Sequence, residues 1–219
     1  DIIQRIGLPC FVKPARGGSS FGTTKVKTPE ALRPAIELAL KEGEDVMVEA
    51  FMSGTEITCG CYKTRNSAHV LPITEVVTTN EFFDYDAKYN GQVEEITPAR
   101  ISDRLTQRVQ TLTSTIYDIL GCYGIIRIDY IITEGEKINL LEINTTPGMT
   151  DTSFIRKQIR AAGLEIKDVM TEIIEAYEKI KREINVYEYI SKKFNEDVEK
   201  TSNELKELCL QFEQLEKDI

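Results

Sequence analysis

The clearest alternation of apolar and polar positions in this chain lies between Gly124 and Thr150. β-Branched and apolar residues flank a short polar turn at positions 134–137, and this pattern predicts two antiparallel strands joined as a hairpin. We expect Thr133 to pair with Ile138 across the turn. Successive side chains of a strand point to opposite faces, so this pairing decides which polar residues share a face.

The expected pairing places Asp129 opposite Glu142 and Arg127 opposite Asn144, with all four side chains on one face. Facing carboxylates repel each other unless a positive charge lies between them. Two carboxylates and an amide oxygen suit Mg²⁺, which fills its remaining positions with water and substrate phosphates. The hairpin therefore predicts a metal site, and the alternative is an acidic face turned to solvent.

Further strands and helices are predicted on both sides of the hairpin, which gives an α+β fold class. The predicted strands cover residues 8–13, 23–27, 46–52, 56–63 and 70–77. The predicted helices cover residues 1–7, 28–43, 102–120, 153–162 and 167–182. In the helix after Ser102, one apolar stripe is expected to face the core, formed by Leu105, Val109, Leu112, Ile116 and Ile119.

The chain after about residue 182 is acidic and contains neither glycine nor proline. Its last apolar residues are spaced 3, 4, 3 and 4 apart, which predicts an amphipathic or coiled-coil helix, heptad-like for about two repeats. They are Leu205, Leu208, Phe212, Leu215 and Ile219. Packing on the chain's own domain, a dimer seam and a fused extension all remain open.

Two loops carry candidate chemistry. The glycine-rich loop at 14–22 lacks the GK[ST] of a Walker A motif, but its backbone N–H groups and hydroxyls suit an anion, with Lys13 at its base. The alternative is a flexible surface turn.

The polar, aromatic segment 79–92 is long enough to cover a site, and Lys88 and Tyr89 are its reactive candidates. The alternative is a surface loop that its aromatic residues attach to the core.

Composition narrows the function classes. A net charge of −9 over 219 residues argues against nucleic acid as the main partner, and no apolar run approaches 18 residues, which argues against a membrane span. Five cysteines without a CxxC pattern favour reduced thiols in a cytosolic protein. The single histidine, His69, lies in a polar turn, so the chemistry is expected to rest on lysine, arginine and carboxylates.

Five segments in a fixed order, covering roughly residues 1–180, resemble the D-alanine–D-alanine ligase family of the ATP-grasp superfamily. They are KPARGGSSFGT, VEAFMSGTEIT, DYDAKY, GIIRIDY and LLEINTTPGMTDTSF. The resemblance implies two α+β subdomains with ATP between their antiparallel sheets. It divides the chain into a truncated small subdomain at 1–53, a large metal-binding subdomain at 54–182 and a helical tail at 183–219 outside the family pattern.

The resemblance also implies roles for individual residues. In the nucleotide site, Lys13 contacts the phosphates and base region, the loop at 17–21 closes over the phosphates, Glu49 and its neighbours hold the adenine edge, and Glu56 holds the ribose. The implied nucleotide contacts are Lys13, Ser19, Ser20, Phe21, Glu49, Ala50, Phe51, Met52, Glu56 and Lys88. The implied ligands of two Mg²⁺ ions, for which Mn²⁺ can substitute, are Asp129, Glu142 and Asn144.

For catalysis, the resemblance implies that Lys88 reaches the transferred phosphate, while Arg127 and the Gly148 N–H stabilise oxyanion charge. Ser153 and Phe154 line the site for the second amino acid. Ser19 and Tyr89 complete the implied catalytic set, and a tyrosine after Lys88 is similar to the dipeptide-forming members.

The implied function is ATP-dependent ligation of two D-alanines through an acyl phosphate, for peptidoglycan synthesis in the cytoplasm. The family's N-terminal domain has no counterpart in this sequence, so we expect this chain alone to ligate slowly or not at all. The alternatives are another ATP-grasp carboxylate–amine ligase and a non-catalytic nucleotide-binding or interaction module. Neither nucleic acid nor membrane is an expected partner, and a homodimer stays open.

Overall fold

The computed structural model describes residues 1–16, 20–78 and 93–217. Its contacts divide the chain into two units, Asp1–Val169 and Met170–Ile219. The strands are β1 (Cys10–Pro14), β2 (Thr24–Val26), β3 (Val46–Ala50), β4 (Thr55–Lys63), β5 (Ala68–Val70), β6 (Thr74–Thr78), β7 (Val93–Ile96), β8 (Ile125–Thr133) and β9 (Lys137–Asn144). The helices are α1 (Ile2–Ile6), α2 (Leu32–Ala39), α3 (Asp103–Ile119), α4 (Phe154–Ala161) and α5 (Ile166–Lys217), with 3₁₀ turns at Pro29–Ala31 and Glu134–Glu136.

The first sheet is antiparallel, with strand order β2–β1–β3. One face packs on α2 through a small core of Cys10, Val12, Val26, Ala35 and Ala39. The register pairs Phe11 with Glu49 and Lys13 with Met47. Because directly opposed residues share a face, these four side chains project away from α2.

The helix predicted over 28–43 is shorter than expected. A 3₁₀ turn at Pro29–Ala31 precedes α2, which ends at Ala39, and the side chain of Thr28 makes no capping hydrogen bond. Pro34 explains the late start, because it has no N–H to donate to the carbonyl of Glu30 four residues earlier.

The second sheet has strand order β7–β6–β4–β8–β9, with β5 also paired to β4. One face packs on α3, whose first turn is capped by Ser102 Oγ accepting from the Leu105 N–H at 3.2 Å. The buried positions of α3 are Leu105, Val109, Thr113 and Tyr117. The predicted stripe is therefore wrong at its end, since Ile119 is 76% exposed.

The strand predicted over 70–77 is interrupted. β5 ends at Val70 and β6 begins at Thr74. Pro72 lies in the gap and has no N–H for a strand ladder, which explains the break. β7 was not predicted, and it pairs antiparallel with β6.

The central hairpin forms as β8 and β9, with a one-residue difference at its turn. Thr133 pairs with Lys137, so the expected pairing with Ile138 is wrong. A register shift between Asp129 and Tyr130 then restores the predicted pairs, Asp129 with Glu142 and Arg127 with Asn144. A β-bulge of this kind adds one unpaired residue to one strand and re-aims the side chains beyond it.

Helix α4 packs on the other face of this sheet, at Gly60 of β4. The buried Gln158 side chain accepts from the Gly60 N–H at 2.9 Å and donates to the Thr58 carbonyl at 2.9 Å. A Cβ on Gly60 would lie 2.7 Å from Gln158 Oε1 and 2.7 Å from Ile155 Cδ1. The missing side chain at Gly60 is what lets the helix approach the sheet.

We expect Gly60→Ala to lower the free energy of unfolding by about 1–3 kcal/mol, because the added methyl group overpacks the α4 contact. Urea unfolding followed by circular dichroism measures this value. Gly43→Ala is the matched control, since its Cβ would meet nothing closer than 3.7 Å. Equal stability of the two variants would contradict this account of α4 packing.

The second unit is helical from Met170 to Lys217. α5 runs without interruption over 52 residues, so the separate helices predicted before and after about residue 182 are one helix. Within the described residues, none of the helices combines the length and the apolar character needed to cross a membrane.

Candidate active site

A cleft of about 790 Å³ lies within the first unit, and it is lined by the face of the first sheet that points away from α2 and the face of the second sheet that points away from α3. From the first sheet and its loops, the predicted residues that line it are Lys13, Ser20, Phe21, Glu49, Ala50, Phe51 and Met52. From the second sheet and α4, they are Glu56, Arg127, Asp129, Glu142 and Phe154. The structure therefore gathers on one cleft residues that are far apart in the sequence.

Three predicted residues lie beside the cleft lining. Asn144 contacts two of the lining carboxylates, and Ser153 immediately precedes Phe154 at the start of α4. A Cβ on Gly148 would lie 3.9 Å from the Ser153 Cβ, so these two residues are neighbours. Ser19, Lys88 and Tyr89 lie outside the described residues.

Arg127 is held by a two-point ion pair with Asp129. Its Nε donates to Asp129 Oδ1 and its Nη2 to Asp129 Oδ2, both at 2.8 Å. The guanidinium carbon also lies 5.2 Å from the centre of the Phe154 ring. Burial lowers the pKa of Arg127, but the hydrogen bonds and charge of Asp129, with the charges of Glu142 and Glu56, outweigh it and raise this pKa above its ordinary value. The site therefore keeps a fixed positive charge.

Asn144 links the two acidic side chains of the hairpin. Its Nδ2 donates to Asp129 Oδ2 at 3.2 Å and to Glu142 Oε1 at 3.1 Å. The two carboxylates therefore approach a common point, which the amide occupies. Half a turn of the Asn144 amide presents its carbonyl oxygen there instead, giving three oxygen donors of the kind that a hard cation accepts.

These oxygen donors suit Mg²⁺ better than they suit a metal ion that is coordinated by protein side chains alone. Nowhere in the ranges that the structure describes do three or more His, Cys, Asp or Glu side chains form a metal-binding group. Mg²⁺ characteristically binds one or two carboxylates and completes its octahedron with water and phosphate oxygens. Asp129, Glu142 and Asn144 match that requirement.

Thr58 is a site residue that the sequence analysis missed. Its Oγ1 donates to Asp129 Oδ1 at 2.6 Å, from the position directly opposite Asp129 on β4. This bond and the Arg127 fork fix the orientation of the Asp129 carboxylate. The period-2 pattern of β4 places Thr58 on the same face as Glu56, but only the pairing of β4 with β8 brings it to Asp129.

On the first sheet, Lys13 and Glu49 form an ion pair, with Nζ and Oε2 2.7 Å apart and both side chains partly exposed. Lys25 was also missed. Its Nζ lies 4.0 Å from the centre of the Phe51 ring, in cation–π geometry. This side of the cleft thus presents the Lys13–Glu49 pair and the Phe51 ring, against which Lys25 packs.

The chain matches the family model described as D-ala D-ala ligase C-terminus over residues 1–175. The chain belongs to the D-alanine–D-alanine ligase family. It is 75% identical over 175 residues to a D-alanine–D-alanine ligase of Bacteroides fragilis, a match that covers 80% of this chain and 54% of that relative. It is 65% identical over 176 residues to the enzyme of the same name from Parabacteroides distasonis, covering 80% and 53%. The chain thus spans about half the length of the curated relatives it matches.

Solved structures show the same family. The VanG D-Ala:D-Ser ligase from Enterococcus faecalis is 35% identical with a TM-score of 0.69, covering 80% of this chain and 52% of that one. The D-alanine–D-alanine ligase from Bacillus anthracis complexed with ATP is 27% identical with a TM-score of 0.67, covering 84% and 57%. This D-alanine–D-alanine ligase family member has the predicted α+β ATP-grasp fold, and its family match ends inside α5.

Proposed function

We propose that this chain supplies the nucleotide- and metal-binding part of a D-alanine–D-alanine ligase, an ATP-dependent enzyme of peptidoglycan synthesis. The observation that carries the proposal is the convergence of Arg127, Asp129, Glu142 and Asn144 on a cleft whose opposite wall presents Lys13. A family relative of known structure is an ATP complex, which supports ATP as the co-substrate.

In the proposed complex, ATP lies between the two sheets. Lys13 contacts the phosphates, Glu56 binds the ribose hydroxyls, and Glu49 with the backbone of Ala50, Phe51 and Met52 holds the adenine edge. The phosphate-covering loop includes Ser20 and Phe21, which line the cleft. Lys13 and Glu49 both line that space and form an ion pair with each other.

Asp129, Glu142 and Asn144 would hold two Mg²⁺ ions, or Mn²⁺ in their place. When bound, these ions supply positive charge that neutralises the phosphate oxygens as charge moves during transfer. The protein's share is to fix the donors: Thr58 and Arg127 orient Asp129, and Asn144 bridges Asp129 to Glu142.

The proposed reaction has two steps. A carboxylate oxygen of the first D-alanine attacks the γ-phosphorus of ATP, ADP leaves, and an acyl phosphate forms. The free amine of the second D-alanine then attacks the acyl carbon, and phosphate departs from the tetrahedral intermediate as the peptide bond forms. The protein forms no covalent bond to the substrates in this scheme, so it accelerates the reaction by positioning them and by stabilising the developing charge.

Arg127 and the Gly148 N–H are proposed to stabilise the oxyanion, with Ser153 and Phe154 lining the second amino-acid site. The Phe154 ring lies against the Arg127 guanidinium and limits where that cation can point. Roles for Ser19, Lys88 and Tyr89 rest on the family resemblance. We also propose the subdomain division 1–53, 54–182 and 183–219, and a cytoplasmic location, where ATP and free D-alanine are available.

A second carboxylate–amine ligase activity competes with this proposal. The VanG structure, named as a D-Ala:D-Ser ligase, is 35% identical to this chain. The 75% identity to a ligase named for D-alanine favours D-alanine as second substrate. Rates with D-alanine and D-serine distinguish the two activities.

The proposed function is tested by a chimera that joins the N-terminal part of the Bacteroides fragilis ligase to residues 1–175 of this chain. The 75% identity makes the two parts compatible at their junction. We expect D-alanine-dependent ADP release within about tenfold of the parent enzyme, with D-serine and L-alanine far slower. A folded chimera that releases ADP no faster with D-alanine than without it would contradict the proposal.

A further inference from the structure

The C-terminal helix carries a heptad repeat much longer than the two repeats at its end. Starting at Met170 and taking alternating steps of three and four residues leads to Ile219 through seven heptads. We call these positions the seam. Only two of them, Ser191 and Thr201, are small polar residues, and the others are methionine, aliphatic or aromatic residues. α5 is helical without a break from Ile166 to Lys217, so the seam from Met170 to Leu215 follows one continuous element.

The middle of the seam is uncovered. Six of its large apolar side chains are between 52% and 75% exposed, namely Tyr177, Ile184, Tyr187, Phe194, Val198 and Leu205. A buried aromatic side chain removes about 150–250 Å² from water, so covering these six on each of two helices removes on the order of 1,000 Å². That approaches the 1,200–2,000 Å² range of stable, specific interfaces before the rest of the seam is counted.

The period of the seam indicates the shape of its partner. A straight α-helix drifts by about 20° per heptad relative to a strict seven-residue repeat, which amounts to about 140° over seven heptads. A globular surface cannot follow that path, whereas a second long helix does so by supercoiling. Among the described residues, the next longest helix is α3, with 17 residues and one face buried against a sheet.

The surface charge argues against other occupants. Residues 183–219 contain ten acidic and five basic side chains, which disfavours an anionic membrane or nucleic acid. A second copy brings a seam of equal length with the same two polar interruptions. Polar residues at core positions of this kind specify register and oligomeric state at some cost in stability.

We propose that the seam joins two copies of this chain in a two-stranded coiled coil. Apart from Met170 and Ile173, the seam lies beyond residue 175, where the family match ends, so most of the interface is an addition to the ligase part. Each dimer would therefore carry two copies of the cleft. The proposed dimer does not depend on the proposed ligase activity.

The test is the oligomeric state of the whole chain by light scattering and analytical ultracentrifugation. The wild type is expected to have twice the 24.9 kDa monomer mass. Val198→Glu places a carboxylate in the seam and should weaken the dimer by at least about tenfold. Val186→Glu is the matched control, because Val186 is 58% exposed on the same helix but lies off the seam. It should remain dimeric.

A second pair of variants tests whether an added apolar side chain in the seam stabilises the dimer. Ser191→Ile replaces a polar seam residue and should tighten the dimer, raising the concentration-dependent melting temperature, whereas Asn203→Ile, off the seam, should not. A monomeric wild type, a mass above that of a dimer, or equal effects within each pair would overturn the proposal. So would binding of a monomer to phosphatidylserine vesicles.

Discussion

Replacing Arg127 with alanine is expected to lower kcat of the chimeric ligase by about 10²–10³-fold, the usual cost of losing one preorganised oxyanion donor. The guanidinium is held in position by its two-point bond to Asp129 and by the Phe154 ring. It therefore needs little rearrangement as negative charge develops. Because that charge is largest in the transition state, the KM for ATP should change much less than kcat.

Arg108→Ala is the control for this prediction. Arg108 also contacts the hairpin, through an ion pair with Glu136, but it lies outside the cleft lining. Its loss should leave kcat within about twofold, since exposed ion pairs contribute little to stability. An Arg127→Ala chimera that retains a rate within about tenfold of its parent would show that Arg127 only supports the structure of Asp129.

The second large effect is expected on metal dependence. Asp129→Asn and Glu142→Gln each remove a charge from the proposed metal site, while keeping the side-chain shape. We expect each to lower kcat by about 10²-fold or more and to raise the Mg²⁺ concentration needed for half-maximal rate. ADP release measured across a Mg²⁺ titration separates these two effects.

Glu134→Gln provides the matched loss of one carboxylate at the turn of the same hairpin. Glu134 belongs to the 3₁₀ turn between β8 and β9 and does not line the cleft. Its Mg²⁺ dependence should match that of the parent chimera. If Asp129→Asn and Glu142→Gln titrate like Glu134→Gln, the hairpin carboxylates do not hold the metal.

The hairpin shows how far the sequence alone predicts the site. Alternation gave the correct face for Arg127, Asp129, Glu142 and Asn144, although the expected turn pairing was one residue off. The bulge beside Asp129 compensates for that difference. A period-2 pattern indicates which face of the sheet a side chain lies on, but it does not show where an unpaired bulge residue shifts the register between two strands.

Other parts of the site depend on contacts between distant segments. Thr58 meets Asp129 only because β4 pairs with β8, 71 residues away in the chain. The approach of Lys25 to Phe51 likewise requires the first sheet to be assembled. Local composition also predicted separate helices before and after about residue 182 where the structure has one, because a change from mixed to acidic surface residues does not end a helix that contains neither glycine nor proline.

The central claim is that the hairpin oxygens hold divalent ions that bind the nucleotide phosphates. Its most direct test is a crystal structure of the chimera with Mn²⁺ and a non-hydrolysable ATP analogue, using the anomalous signal of manganese. We predict anomalous peaks within about 2.5 Å of oxygens from Asp129, Glu142 and Asn144, with the analogue's phosphates beside them and near Lys13. An analogue bound in the cleft with its manganese peaks away from these three side chains would contradict the account.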